Sequence, residues 1–208
     1  MLAIFPLNIV LFPESIIRLH IFEERYKNLI NDCMANNTTF GVVPIVSSKF
    51  QKIGCNAKIS EILKRYEDGR LDILIQGEQR FNLIDYMISD RLYYEANINF
   101  FDNSEEYPNF NLIEECLEIY NLIAEEIQSL NIEKIDAHKL ITKVPSFLFA
   151  QKSGLTLEQK YKVLEMNSEN ERLKYILEHL EKMEPYLRET EYVNRIIKND
   201  GYVKISNK

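Results

Sequence analysis

The groups in this chain able to do nucleophilic or metal chemistry are few: Cys33, Cys55 and Cys116, and His20, His138 and His179. A zinc site needs ligands at short spacings, such as a C-x-x-C pair or an H-E-x-x-H run on one helix face, and these residues lie too far apart for either. A thiolate nucleophile needs a base, and the pair that a fold might assemble from separate parts of the chain is Cys55 with His20. Against that pairing, nothing close in sequence to Cys55 lowers its pKa. Cys33 and Cys116 fall on apolar helical stripes, where a free cysteine behaves as a small buried hydrophobe. Neither a G-x-x-x-x-G-K-[ST] loop nor a G-x-G-x-x-G fingerprint occurs among the six glycines, so ATP hydrolysis and dinucleotide binding are not expected. The sequence predicts no enzyme activity, no metal and no cofactor.

The chain offers aromatic and arginine side chains instead. In IFEERY, residues 21–26, Glu23 and Glu24 suit the first turn of a helix, where exposed backbone donors favour carboxylates, and Arg25 follows as either a partner contact or a tie between helix and sheet. Arg70 and Arg80 read as strand-end arginines that pack their stems and satisfy loop carbonyls. Tyr93, Tyr94, Phe101 and Tyr107 lie near a compositional boundary and, together with Phe147 and Arg25, are the candidate contacts for a bound polypeptide. Such a site is expected in a crevice where two units meet.

That boundary lies in DNSEEYPNF, residues 102–110, and divides the chain into 1–104 and 105–208. Before it, residues 16–22, 40–46, 57–66, 71–76, 80–86 and 93–101 are short, β-branched and aromatic, which predicts a barrel or sandwich. Asp68-Gly69 predicts a two-residue type I′ hairpin turn. One helix, 23–36, interrupts the strands, with Tyr26, Leu29, Ile30, Cys33 and Met34 at spacings of three and four. After the boundary the period is helical: 111–130 carries a stripe through Cys116, Tyr120, Ile123 and Ile127. Capping boxes at Thr156/Gln159 and Ser168/Glu171 mark two further helix starts. The last helix carries Leu173, Ile176, Leu177 and Leu180 toward Pro185 and ends at Gly201.

With 208 residues, 46% of them hydrophobic, the chain can bury a real core. The formal charge is -7, divided as -2 over residues 1–104 and -5 over 105–208, which disfavours nucleic-acid backbones and anionic lipid. The uncharged start MLAIFPLNIVLFP lacks a basic region and a small-residue cleavage site, so it is not read as a signal peptide. No stretch reaches the roughly 20 apolar residues that span a bilayer. A cytoplasmic protein with three reduced cysteines is expected.

The series FPLNIVLFPESIIRLHIFEERYKNLI, FGVV at 40–43, IGCNAKISEI at 53–62 and DGRLDILIQGEQRF at 68–81 closely resembles the N-terminal, substrate-binding domain family of Lon proteases in order and spacing. SFLFAQKSGLTLEQKYKVLEMNSENERLKYILEHLE, residues 146–181, is similar to the helical portion of the same family. The resemblance implies an α+β fold, a PUA-like β-barrel with one inserted helix followed by an α-helical bundle. It also implies a role in gripping unfolded or apolar polypeptide, beside a separate protease or chaperone, since the chain reaches Lys208 without ATPase or protease motifs. Dimerisation is left open. PUA-like barrels elsewhere bind RNA, which makes an RNA adaptor the alternative. The family also includes cereblon, whose ligand pocket depends on a zinc-bearing domain; without a C-x-x-C pair that pocket is not carried over.

Overall fold

Alternation of apolar and polar residues, interrupted by turn formers, gives the first half of the chain its strands, and the computed structural model, which describes residues 1–127 and 131–198, arranges them as a ring. The strands are β1 (Leu2–Leu7), β2 (Ile16–Ile21), β3 (Phe40–Val46), β4 (Lys49–Phe50), β5 (Ile53–Arg65), β6 (Leu71–Ile88) and β7 (Tyr94–Phe100). Neighbours run β1-β7-β6-β5-β3, and β3 returns to β1 through a parallel pairing from Ile4↔Gly41 to Leu7↔Pro44, closing the barrel. β2 lies against the first part of β6 and β4 against the end of β3. Helix α1 (Glu24–Asn36) buries Tyr26, Leu29, Ile30 and Cys33, the stripe read from its spacing. These join Phe5, Phe40, Val42, Ile73 and Ile75 in the larger barrel core. A smaller cluster of Ile4, Val43, Phe81 and Ala96 fills the other part.

Three local features depart from the sequence reading. β1 was not anticipated, because LAIFPL pairs on both sides and shows no alternation. Residues 71–76 and 80–86 form one continuous strand. Gly77, in the gap between the two expected ranges, is a close approach: a Cβ there would lie 2.2 Å from the Phe12 carbonyl oxygen, and the Gly77 N–H donates to Ser15 O at 2.9 Å. The Asp68-Gly69 turn is a three-residue loop, not type I′. Tyr66 N–H bonds Arg70 O, Gly69 N–H bonds Tyr66 O, and only Gly69 has positive φ, at 82°. That is a type I turn closed by a left-handed glycine.

The chain forms two units. The first is Met1–Glu105 with Ala150–Ser168, so α4 (Leu157–Glu165), a segment the sequence reading placed with the helical half, packs with the barrel. Its capping box is formed as expected, Thr156 accepting from Gln159 N–H and Gln159 reaching back to Thr156 N–H. The second unit comprises Glu106–Phe149 and the chain from Glu169 onward, and contains α2 (Phe110–Glu126), a 3-10 turn at Ala137–Leu140 and α5 (Glu169–Lys198). Helix α3 (Pro145–Lys152) straddles the division. Asn109 caps α2 by accepting from Asn111 and Leu112 N–H. Cys116, Tyr120 and Ile123 of α2 are buried, as are Leu173, Ile176, Leu177 and Leu180 of α5, which runs through Pro185. The expected stop at Gly201 and residues 128–130 lie outside the described residues.

Leu29 in the barrel and Leu177 in the helical unit are both buried. Replacing either by alanine is expected to lower unfolding free energy by about 3 kcal/mol, through lost transfer energy and a residual cavity. Chemical denaturation followed by circular dichroism checks this; an unchanged midpoint for either variant contradicts the packing described.

Candidate functional site

The six candidate contacts occupy different environments. Arg25 is turned onto its own helix: it pairs with Glu23 at 2.7 Å, and its guanidinium lies 4.6 Å from the centroid of the Tyr26 ring. Tyr93 is buried in the larger barrel core and donates its hydroxyl to Asp32 Oδ2 at 3.0 Å. Burial, together with that carboxylate, pushes its phenol up to about 12. Tyr94 belongs instead to the smaller cluster and is half-buried. Phe101 is half-buried beneath the Arg80 guanidinium at 4.5 Å. In the helical unit Tyr107 is 93% exposed, whereas Phe147 is fully buried beneath Arg172 at 4.4 Å.

Tyr94 is the candidate around which an apolar surface assembles. Its ring meets Phe50 at 5.4 Å and Tyr86 at 5.7 Å, and Phe50 and Tyr86 are 4.9 Å apart. Cross-strand pairing sets Tyr86 opposite Ala96 and Ile88 opposite Tyr94, so Tyr86, Ile88 and Tyr94 share one face of the β6–β7 hairpin. Ile84, Tyr86, Met87 and Ile88 are all roughly half exposed or more, and Leu92 at the hairpin end is 65% exposed. The sequence signal for this patch was the run IDYMI, residues 84–88, whose apolar residues do not alternate as a half-buried strand requires. A register shift between Leu83 and Asp85 twists the strand where the run begins.

A second surface lies along β2. Arg18 Nη2 and His20 Nδ1 reach Asp72 at 2.7 and 2.6 Å, and the Tyr66 hydroxyl donates to it at 3.2 Å. These bonds, His20 first and Arg18 next, hold the Asp72 carboxyl down at about 2. On the other face of β2, Ile17 and Leu19 are half-buried against the barrel core together with Leu7 and Ile9. Two clefts of about 310 and 320 Å³ flank this strand. One is bounded by Phe5–Leu7 and Leu19–Phe22, the other by Ile9, Val10, Ile17 and Leu157, and Asn8 borders both.

The thiol chemistry weighed from the sequence has no support in these positions. Cys55 is fully buried, donates to Asn56 O, and is pushed by burial to about 12, so it stays protonated at neutral pH. His20 is bonded to Asp72. Among the described residues no group of His, Cys, Asp and Glu is placed to hold a metal ion, and no helix is long and apolar enough to cross a membrane.

Comparison with known proteins places this arrangement. Residues 1–182 match the family described as the ATP-dependent protease La (LON) substrate-binding domain. The chain is 24% identical to Lon protease 1 of Hydrogenovibrio crunogenus over 209 residues, covering 92% of this chain and 25% of that protein. It is 26% identical to Lon protease of Cytophaga hutchinsonii over 188 residues, covering 84% and 23%. It thus spans about a quarter of the length of these curated relatives. The fold is similar to the crystal structure of the Lon N-terminal domain protein from Xanthomonas campestris, with TM-score 0.63, 22% identity, and coverage of 85% of this chain and 96% of that one. It is also similar to the N-terminal domain of Mycobacterium avium complex Lon protease, with TM-score 0.62, 18% identity, and coverage of 86% and 97%. With a family match running through the barrel and into the last helix, this chain belongs to the Lon substrate-binding domain family.

Proposed function

We propose that this chain is a non-enzymatic, cytoplasmic polypeptide-recognition protein that holds unfolded or apolar segments for a separate protease or chaperone. The observation that carries this reading is the apolar face of the β6–β7 hairpin, on which Tyr86 and Ile88 are exposed and Tyr94 and Phe50 are half-buried beside them. Exposed contiguous apolar surface of this kind marks protein interaction sites, and tyrosine serves there because its ring is apolar and its hydroxyl tolerates water. Membership of a substrate-binding family supports the same reading. The net charge of -7 weighs against an RNA backbone as the ligand.

Fluorescence anisotropy with a labelled unfolded protein and a labelled single-stranded RNA, each at low and high salt, tests the proposal. Unfolded protein is expected to bind, with affinity little changed by salt, because apolar burial is weakly screened whereas phosphate contacts lose affinity steeply as salt rises. Ile88→Asp is expected to weaken that binding about tenfold while leaving the melting temperature close to wild type, since Ile88 is 62% exposed. No ATPase or peptidase turnover is expected. Binding of RNA alone, lost at high salt, overturns the reading.

A further inference from the structure

We infer that β2 is an acceptor edge to which an extended apolar polypeptide segment adds as a further strand, in the seam between β2 and the end of β1. The inference rests on the polypeptide-recognition reading but concerns a surface other than the hairpin and a different mode of contact. The ring of strands is interrupted beside β2. β7 pairs with β6 only from Phe81 to Ile88, and with β1 only from Leu2 to Ile4. Over Leu71–Gln76 the neighbour of β6 is β2, which has no second strand partner among the described residues. Residues Phe5–Leu7 of β1 pair with β3 on one side and, among the described residues, with no strand on the other. The clefts lie between and beside these two open edges.

Hydrogen-bond alternation fixes what the β2 edge presents. Gly77 N–H donates to Ser15 O, so in an antiparallel ladder Ile17, Leu19 and Ile21 direct their backbone groups to β6, and Ile16, Arg18 and His20 direct theirs to the open side. The Gln151 amide donates to Ile16 O at 3.3 Å, as that parity requires. The N–H and C=O of Arg18 and His20 are therefore aimed at the seam. The polar side chains of the same two residues are bonded to Asp72 on the β6 side, and Arg25 at the far end is paired with Glu23. With these polar side chains already engaged, the ligand that complements the seam is uncharged: a backbone in β conformation, with alternate apolar side chains set against Ile17, Leu19, Leu7 and Ile9.

A further open edge, on β5, shows what a protected edge looks like. Among the described residues β5 beyond Ala57 also lacks a strand partner on the β3 side, but its register with β6 shifts between Ile59 and Glu61 and again between Ile62 and Lys64. It also carries Lys58, Glu61, Lys64 and Arg65. Bulges and charges are the devices that keep an edge from pairing. β2 keeps its register without a shift from Ile16 to Ile21. It has the regular edge that strand addition needs.

The test uses the full chain and a labelled ten-residue peptide of alternating leucine and serine, in three forms: unmodified, and N-methylated at every leucine or at every serine. Strand addition uses the N–H groups of one edge only, so one methylated form is expected to bind at least tenfold more weakly and the other close to the unmodified peptide. NMR-detected hydrogen exchange gives an independent readout. The amides of Arg18 and His20 are expected to slow at least tenfold on adding peptide, and those of Ile17 and Leu19, already bonded to β6, to change little. His20→Pro, which removes one open-side N–H, is expected to weaken binding to the same extent as the sensitive methylation. Equal binding of all three peptides, or unchanged exchange at Arg18 and His20 with peptide bound, overturns strand addition and leaves polypeptide recognition standing. If the hairpin variant Ile88→Asp abolishes peptide binding while His20→Pro does not, the seam is likewise ruled out. If neither peptide nor unfolded protein binds the wild-type chain, both readings fall.

Discussion

Arg80→Ala is expected to lower the unfolding free energy of the barrel unit by about 3 to 5 kcal/mol, more than a truncated leucine, because it strands several buried acceptors at once. Arg80 is 1% exposed. One terminal nitrogen donates to Leu164 O at 2.6 Å and Met166 O at 2.8 Å, and the other to Asn103 Oδ1 at 3.0 Å. Leu164 and Met166 lie at the C-terminal end of α4, where the last carbonyls of any helix lack intrahelical partners and where a cation is favoured. The guanidinium thus caps α4 from the middle of β6 while its face stacks on Phe101. Arg80→Lys is expected to recover little, since an ammonium is a point donor and cannot fork between two carbonyls and an amide in one plane. Urea denaturation of both variants decides it. A midpoint for Arg80→Ala within error of wild type shows that α4 is held by its apolar contacts alone.

That role of Arg80 was legible in part: an arginine at a strand position reads as a satisfier of carbonyls, but which carbonyls cannot be read when they lie some 80 positions away. The same limit separates the rest. Local signals survived in the structure: the stripe of α1, the Thr156/Gln159 capping box and the strands beginning at Ile16, Phe40, Leu71 and Tyr94. Features set by a distant partner did not. β1 is a strand because β3 and β7 pair with it, and the helical period of α4 carries no information about which unit it joins. The expected strands 71–76 and 80–86 are one, because at Gly77, between them, the lack of a side chain admits the Phe12 carbonyl and lets β6 continue. The aromatic candidates illustrate the limit for surfaces. Tyr93 and Tyr94 are adjacent and chemically identical, yet alternation sends one into the core beside Asp32 and the other to the hairpin face.

In the helical unit, Arg172→Met is expected to cost about 3 to 5 kcal/mol, because it leaves the Glu169 carboxylate buried without its cation. Both side chains are essentially inaccessible, at 0% and 2%, and they are bonded to each other one helical turn apart. Glu169 accepts from Ser146 N–H and Ser146 Oγ–H, each at 2.7 Å, and Arg172 Nε–H donates to the same hydroxyl at 2.9 Å, so the pair clamps the start of α5 to the start of α3. The buried Phe147 ring packs against the guanidinium. Removing the arginine keeps the apolar packing, since methionine follows a similar path, and isolates the electrostatic loss. The discriminating variant is the pair Glu169→Gln with Arg172→Met. An amide can still accept from Ser146 N–H without a buried charge, so the double variant is expected to be more stable than Arg172→Met alone. Equilibrium denaturation of the two single variants and the double measures the coupling. If the double variant loses as much as the two singles combined, the ion pair contributes nothing as a pair, and α3 and α5 are joined by the packing of Phe147 and its neighbours instead.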